Sequence, residues 1–224
     1  RMTIEGGTTL ALQSWAGRSF TQAGGEVSGT GSLLQSGGSF DFTGGSITGD
    51  VTLQAVNVSV GAGVTSSSTV RVVGDNNVLL GNLSPSVTES VEGTTTYGGV
   101  RMYVGSDVEN RGTLRLTTTS GDWNNQDSSL NLQGHTLLNA STGTIDVRVG
   151  AGDSRYIYQG NLRNEGRIAV EGDATLQVQP GSGSTFTQAG GEVSGSGSLL
   201  QSGGLFDFSG GSITGDVTLW GVSV

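Results

Sequence analysis

The chain has 224 residues, of which 41 are Gly and 2 Pro, with no Cys and only 13% charged residues. Nineteen acidic residues against ten basic ones give a formal charge of −9, which repels a phosphate backbone and argues against nucleic acid as a partner. Gly without a G-X-Y period excludes collagen, regularly recurring Val, Ile, Leu and Phe argue against disorder, and the absence of Cys removes disulfides and thiolate metal sites.

No stretch of ten or more residues has a convincing amphipathic helix pattern, and no apolar run approaches the roughly 20 residues of a membrane span. The start, Arg1-Met2-Thr3, carries no signal peptide. The first informative stretch is Phe20–Leu53. Phe20–Leu33 lies over Phe40–Leu53 at a shift of 20 residues, with the pattern F-x-x-x-G-G-x-[VI]-[ST]-G-x-x-x-L. The whole stretch returns as Phe186–Leu219. At a shift of 166, residues 1–58 cover 167–224 without a gap, and only seven of the forty pairs from position 19 to 58 differ. Nested periods of this kind are the mark of a solenoid. Neither end has the polar cap that a solenoid needs, so the chain reads as one continuous solenoid cut from a longer repeat protein.

Coils of about 20 residues predict an all-β, single-stranded parallel β-helix, right-handed on general grounds, with roughly 11 turns and a length on the order of 50 Å. Phe20/Phe40, Val27/Ile47 and Leu33/Leu53 are expected as inward columns. Gly24/Gly44, Gly25/Gly45 and Gly29/Gly49 are expected at corners that need φ > 0 or close backbone approach, with Ser28/Thr48 pointing outward beside them. Gln22 falls on Phe42 and fits only if a turn takes up its amide. Val56–Val73 continues the strand alternation, and turns fall at Gly74–Asn77 and Ser84–Ser86. Thr88–Gly99, the most polar stretch, is expected as a projecting loop.

From Val100 a second style of coil begins, N-x-G followed by alternating apolar residues: Asn110–Leu116 and Asn164–Val170, with Thr142–Val147 a looser version. The expected geometry is a turn with Asn and Gly left-handed, then a half-buried strand. The runs NRGTLRL, LNLQGHTLLN and GNLRNEGRIAV, together with the GGxVSGxG coils, resemble those of large bacterial secreted β-helix proteins: filamentous-haemagglutinin-type adhesins and autotransporter passengers. The resemblance covers most of the chain. It implies export and an elongated role at the cell surface, often adhesive. It carries over no functional residues, because the shared motifs encode stacking.

Catalytic and metal chemistry find little support. Glu26, Asp41 and Asp50 return as Glu192, Asp207 and Asp216, which marks them as parts of the coil. Asp122/Asp127 and Asp146/Asp153 occur once each, without a clear acid–base partner. The calcium β-roll spacing G-G-x-G-x-D is not met by Gly44–Val51, leaving only incidental calcium on surface carboxylates. His135 is the sole His. Exposed Thr residues form no sustained T-x-T array of the kind that ice binding needs.

Candidate ligand contacts are Trp123 in a polar setting, Tyr97 in the expected loop, and Trp15 and Trp220, which align with Gly181 and Gln54 and so are not core. The sequence predicts a structural and adhesive rod with no enzyme activity and no cofactor. The expected partners are glycans or proteins of a host or neighbouring-cell surface, with end-to-end or side-by-side self-association as a further contact. The alternative is a carbohydrate-binding or polysaccharide-degrading β-helix domain, which calls for a groove holding two or more carboxylates and exposed aromatics from residues 61–166.

Overall fold

Alternating apolar and small polar residues, punctuated by glycine, give short strands that bury one face and turn sharply. In a computed structural model, which describes residues 1–15, 17–64, 66–119, 127–150 and 155–224, they wind into a parallel β-solenoid of about 9 turns with about 23 residues per turn. Neighbouring strands in the ladders run parallel, and no helix occurs among the described residues. At the strand spacing this is a rod on the order of 40 Å long. The expected coil of 20 residues holds where Phe20 lies on Phe40 and Glu26 on Ser46. It stretches to 31 where Thr113 lies on Thr144, because insertions at the corners lengthen the middle coils without disturbing the ladders.

Each coil has three walls. Wall I begins as the ladder Met2–Ile4, Glu26–Gly29, Ser46–Ile47 and resumes as Val108–Asn110, Thr136–Asn139, Asn161–Asn164. Wall II runs from Thr9–Gln13 through Arg167–Val170 to the ends of the strands Thr185–Ser194 and Leu205–Ile213. Wall III is an unbroken ten-stranded sheet from Ser19–Gln22 to Asp216–Trp220. The ten-residue strand Thr185–Ser194 turns the corner between walls I and II, pairing Phe186 with Leu162 and Val193 with Ile168.

The core is built of columns. On wall II, Leu53, Val72, Val91, Leu116, Val147 and Val170 stack in register and are essentially inaccessible. Burial of each such side chain contributes about 1.5–3 kcal/mol. The Phe20 and Phe40 rings stack at 5.6 Å on wall III, and Val27 lies on Ile47 on wall I. Gln22 does pair with Phe42, and its amide donates to the Gly24 carbonyl at 2.8 Å, so the corner takes up the polar group.

Gly24 and Gly49 have neither a positive φ nor a close backbone approach, contrary to the corner expectation, and four further expectations need correction. Leu33 stacks on Val51 rather than Leu53, because this coil advances by 18 residues; Leu53 lies on Gln35. Ser28 is buried, although Thr48 is exposed as expected. Thr88–Gly93 belongs to the strand Val87–Gly93 in the middle of wall II; only Thr94–Gly99 forms a loop. Its two glutamates disguised it: Glu92 pairs with Arg71 through two bonds of 2.9 and 3.0 Å, and Glu89 points into the core.

The fourth correction concerns the N-x-G coils. Asn110, Asn139 and Asn164 have no positive φ, nor do Gly112, Gly143 and Gly166. The asparagines turn inward and form a buried amide ladder. Asn110 donates to Asn139 at 2.8 Å, Asn139 to Asn164 at 2.7 Å, and Asn164 to Gln188 at 2.9 Å. The glycines are needed for contact, since a Cβ on Gly166 would fall on the carbonyl oxygens of Ala140 and Gly143 in the preceding coil.

The 166-residue repeat is not a whole number of turns. Phe20 lies on wall III, yet its counterpart Phe186 lies on wall I. Leu33 is on wall II and its counterpart Leu199 on wall III. The repeat closes seven turns and one further wall, so nearly identical sequence occupies different sides of the rod.

Candidate functional site

The strand alternation of the middle coils places side chains at i and i+2 on the outside of wall III. In Arg155–Tyr158 these are Tyr156 and Tyr158, both half-buried. Ladder register extends them into two outward columns. One contains Arg101, Ser129, Tyr156 and Gln177; the other contains Tyr103, Asn131, Tyr158 and Gln179.

The corner between walls II and III supplies a rim. Thr94–Gly99 closes on itself: Thr94 N–H donates to the Gly98 carbonyl at 2.9 Å, and Tyr97 N–H to Thr94 Oγ1 at 3.1 Å. This fixes Tyr97 above the turn that begins at Gly74 in the preceding coil. Asp75 in that turn and Asp127 at the entry to the strand Ser128–Asn131 stand on the same corner.

Arg101, Ser129 and Tyr156 of the first column and Tyr158 and Gln179 of the second, with the corner, line an open groove of about 770 Å³; among the described residues Tyr97, Tyr156 and Tyr158 are its rings and Asp75, Asp127 and Arg101 its charges. Arg101 is exposed and donates to Tyr103 Oη at 3.5 Å. That bond is the first cause of an upward shift in its pKa, with Tyr158 and Asp75 adding to it, so the group is a fixed cation. The groove spans the coils from Asp75 to Gln179, four ladder steps or on the order of 20 Å along the rod.

Of the aromatic residues singled out from sequence, Tyr97 lies in this groove. Trp15 (84% exposed) and Trp220 (73% exposed) are confirmed as outside the core, but they sit at opposite ends of the rod and are not brought together. Trp123 lies outside the described residues, as do Asp122 and Asp153. Asp146 is structural: it pairs with Arg115 at 2.9 Å and Arg148 at 2.8 Å. His135 Nδ1 lies 3.7 Å from Asp107 Oδ1, and no group of three or more metal-binding side chains occurs among the described residues. No described helix is long and apolar enough to cross a membrane.

Sequence reasoning missed Asp75 and Arg101, and gave Tyr156 and Tyr158 no more weight than the other tyrosines. The i, i+2 spacing of the two tyrosines was the available signal. Their meeting with Asp75 and Arg101 depends on coil lengths that no local pattern reveals.

Glu89 is the other unusual group. It is fully buried between Val70 and Leu114, neither carboxylate oxygen has a hydrogen-bond partner, and burial pushes its pKa up to about 8. It does not reach the groove, because it points to the inside of wall II.

Comparison with protein-family models, with characterised proteins and with solved structures finds no match to this chain.

Proposed function

We propose that the chain is a rod segment of a large secreted or cell-surface bacterial protein, whose work is to hold adhesive contacts at a distance from the cell. The observation that supports this reading best is the ten-stranded ladder of wall III, continuous from one end of the rod to the other. Backbone hydrogen bonds run along the rod axis in every coil, so pulling on the ends loads many of them together. The likeness of the N-x-G and GGxVSGxG coils to secreted adhesins supports the setting. The test is attachment: beads coated with the purified chain are expected to bind bacterial or epithelial cells above beads coated with an unrelated acidic protein. Equal attachment removes the adhesive role.

A second reading, a carbohydrate-binding or polysaccharide-degrading domain, is favoured by the groove, which combines two carboxylates with tyrosines from residues 61–166. Binding fits better than cleavage. Glu89 has the raised pKa that a general acid needs, but it is sealed in the core away from any substrate.

A further inference from the structure

We infer that the wall III groove binds neutral, unbranched oligosaccharides, with the sugar chain lying along the rod axis. The inference rests on reading the groove as a contact surface of the rod, and it names the occupant.

Length comes first. The lining extends over coils from Asp75 to Gln179, on the order of 20 Å, which suits several linked sugars rather than one. The outward columns advance at the strand spacing and carry polar or aromatic side chains at each step, so a polymer laid along the axis meets a hydrogen-bonding or ring contact on every coil.

The chemistry of the lining follows. Tyr97, Tyr156 and Tyr158 are half-buried, each offering a flat apolar ring with a polar tip, which suits the C–H face and rim hydroxyls of a pyranose. Asp75 and Arg101 are planar groups able to take two neighbouring hydroxyls at once, and Gln179, whose Nε2 donates to Gln177 Oε1 at 3.2 Å, adds an amide acceptor. Among the described lining residues Val100 is the one aliphatic, which disfavours a lipid or an apolar peptide.

Charge selects within the sugars. Among the described residues the lining carries two carboxylates and one guanidinium, and the chain as a whole carries −9. Sulfated or uronic-acid polymers are repelled by that field, whereas neutral ones are not.

The test is calorimetric titration of the full 224-residue chain with cellohexaose, maltohexaose, mannohexaose and N-acetylchitohexaose, and with glucose and a heparin hexasaccharide as contrasts. At least one neutral hexasaccharide is expected to bind with Kd of about 1 mM or below, and glucose and heparin more weakly by about tenfold. Tyr158→Ala and, independently, Arg101→Ala are each expected to cut that affinity about tenfold with unchanged melting temperatures, whereas Trp15→Ala at the rod end leaves it unchanged. The inference is overturned if no neutral hexasaccharide saturates the chain at about 10 mM, if heparin binds best, or if both groove variants bind like the parent. Cell attachment without binding of any neutral hexasaccharide defeats the groove while sparing the adhesive rod. Sugar binding without cell attachment does the reverse.

Discussion

Gln35 and Gln201 make the same two hydrogen bonds on different walls of the rod. Gln35 Nε2 donates to the carbonyls of Gly37 and Ser39 at 3.1 and 2.9 Å, and Gln201 Nε2 to those of Gly203 and Leu205, both at 3.1 Å. Both side chains are inaccessible, and both leave the amide oxygen unpartnered. Yet Gln35 is on wall II and Gln201 on wall III. The corner is thus a local unit: the glutamine, two left-handed glycines and the next strand carry their own satisfaction wherever the coil places them. Gln35→Leu and Gln201→Leu each strip donors from two carbonyls and should each cost about 1–3 kcal/mol. In urea unfolding the two costs should agree to within about 0.5 kcal/mol. One severe and one silent variant would show that the walls are not equivalent.

Gly24 and Gly44 are counterparts in the short repeat, but their surroundings differ. A Cβ on Gly44 would come within 2.7 Å of the Ala23 carbonyl oxygen in the preceding coil, whereas a Cβ on Gly24 meets nothing within 4 Å, and neither residue has a positive φ. Gly44→Val should therefore cost about 2–4 kcal/mol, while Gly24→Val and Ser46→Ala stay within about 0.5 kcal/mol of the parent. Thermal unfolding of the three variants checks this. Comparable losses at both glycines would mean that the stacking at this corner is misassigned.

These contrasts mark what the sequence makes legible. Phe20 over Phe40 and Val27 over Ile47 follow from a period that repeats side chains at equal backbone positions, since stacked coils bury like on like. Gln22 opposite Phe42 is legible too, with its corner carbonyl as the escape. The position of a residue around the rod is not, because it depends on the summed lengths of all preceding coils. That is why Phe20 and Phe186 face different ways, and why Asp75, Arg101 and Tyr158 meet unannounced. Glu89 misleads for another reason: a carboxylate in an inward column contradicts the alternation rule, so its strand reads as a loop.

The amide ladder gives a sharper stability test than any apolar column. Asn139 accepts from Asn110 and donates both to Asn164 Oδ1 and to the Arg167 carbonyl at 3.0 Å. Asn139→Leu breaks two buried bonds, from Asn110 Nδ2 and to Asn164 Oδ1, at about 1–3 kcal/mol each, and a part-buried one to the Arg167 carbonyl. The expected loss is several kcal/mol, larger than for Asn131→Leu, where both bonds are part-buried: Asn131 donates to Gln159 Oε1 at 2.8 Å and accepts from Gln133 N–H at 2.9 Å. Equal unfolding midpoints for these two variants would remove the ladder from the account of stability.

Glu89 should make the rod weaken as pH rises. Its folded pKa, about 8, lies above the ordinary 4.5, and burial is the cause. Below pH 4.5 the carboxyl is neutral in both folded and unfolded chains, and ionisation costs nothing. Between 4.5 and about 8 only the unfolded chain ionises, so stability falls by up to about 1.4 kcal/mol per pH unit. Above about 8 both forms are charged and the decline from this group ends. At pH 7 the accumulated cost is about 3 kcal/mol. Glu89→Gln abolishes the titration, and Glu89→Leu also restores an apolar side chain between Val70 and Leu114. Relative to the parent, both variants should gain stability steadily from pH 5 to pH 8 in urea unfolding, with the leucine variant more stable throughout. A stability difference between the parent and the Glu89→Gln variant that stays flat over that range would place the carboxyl in water rather than in the core.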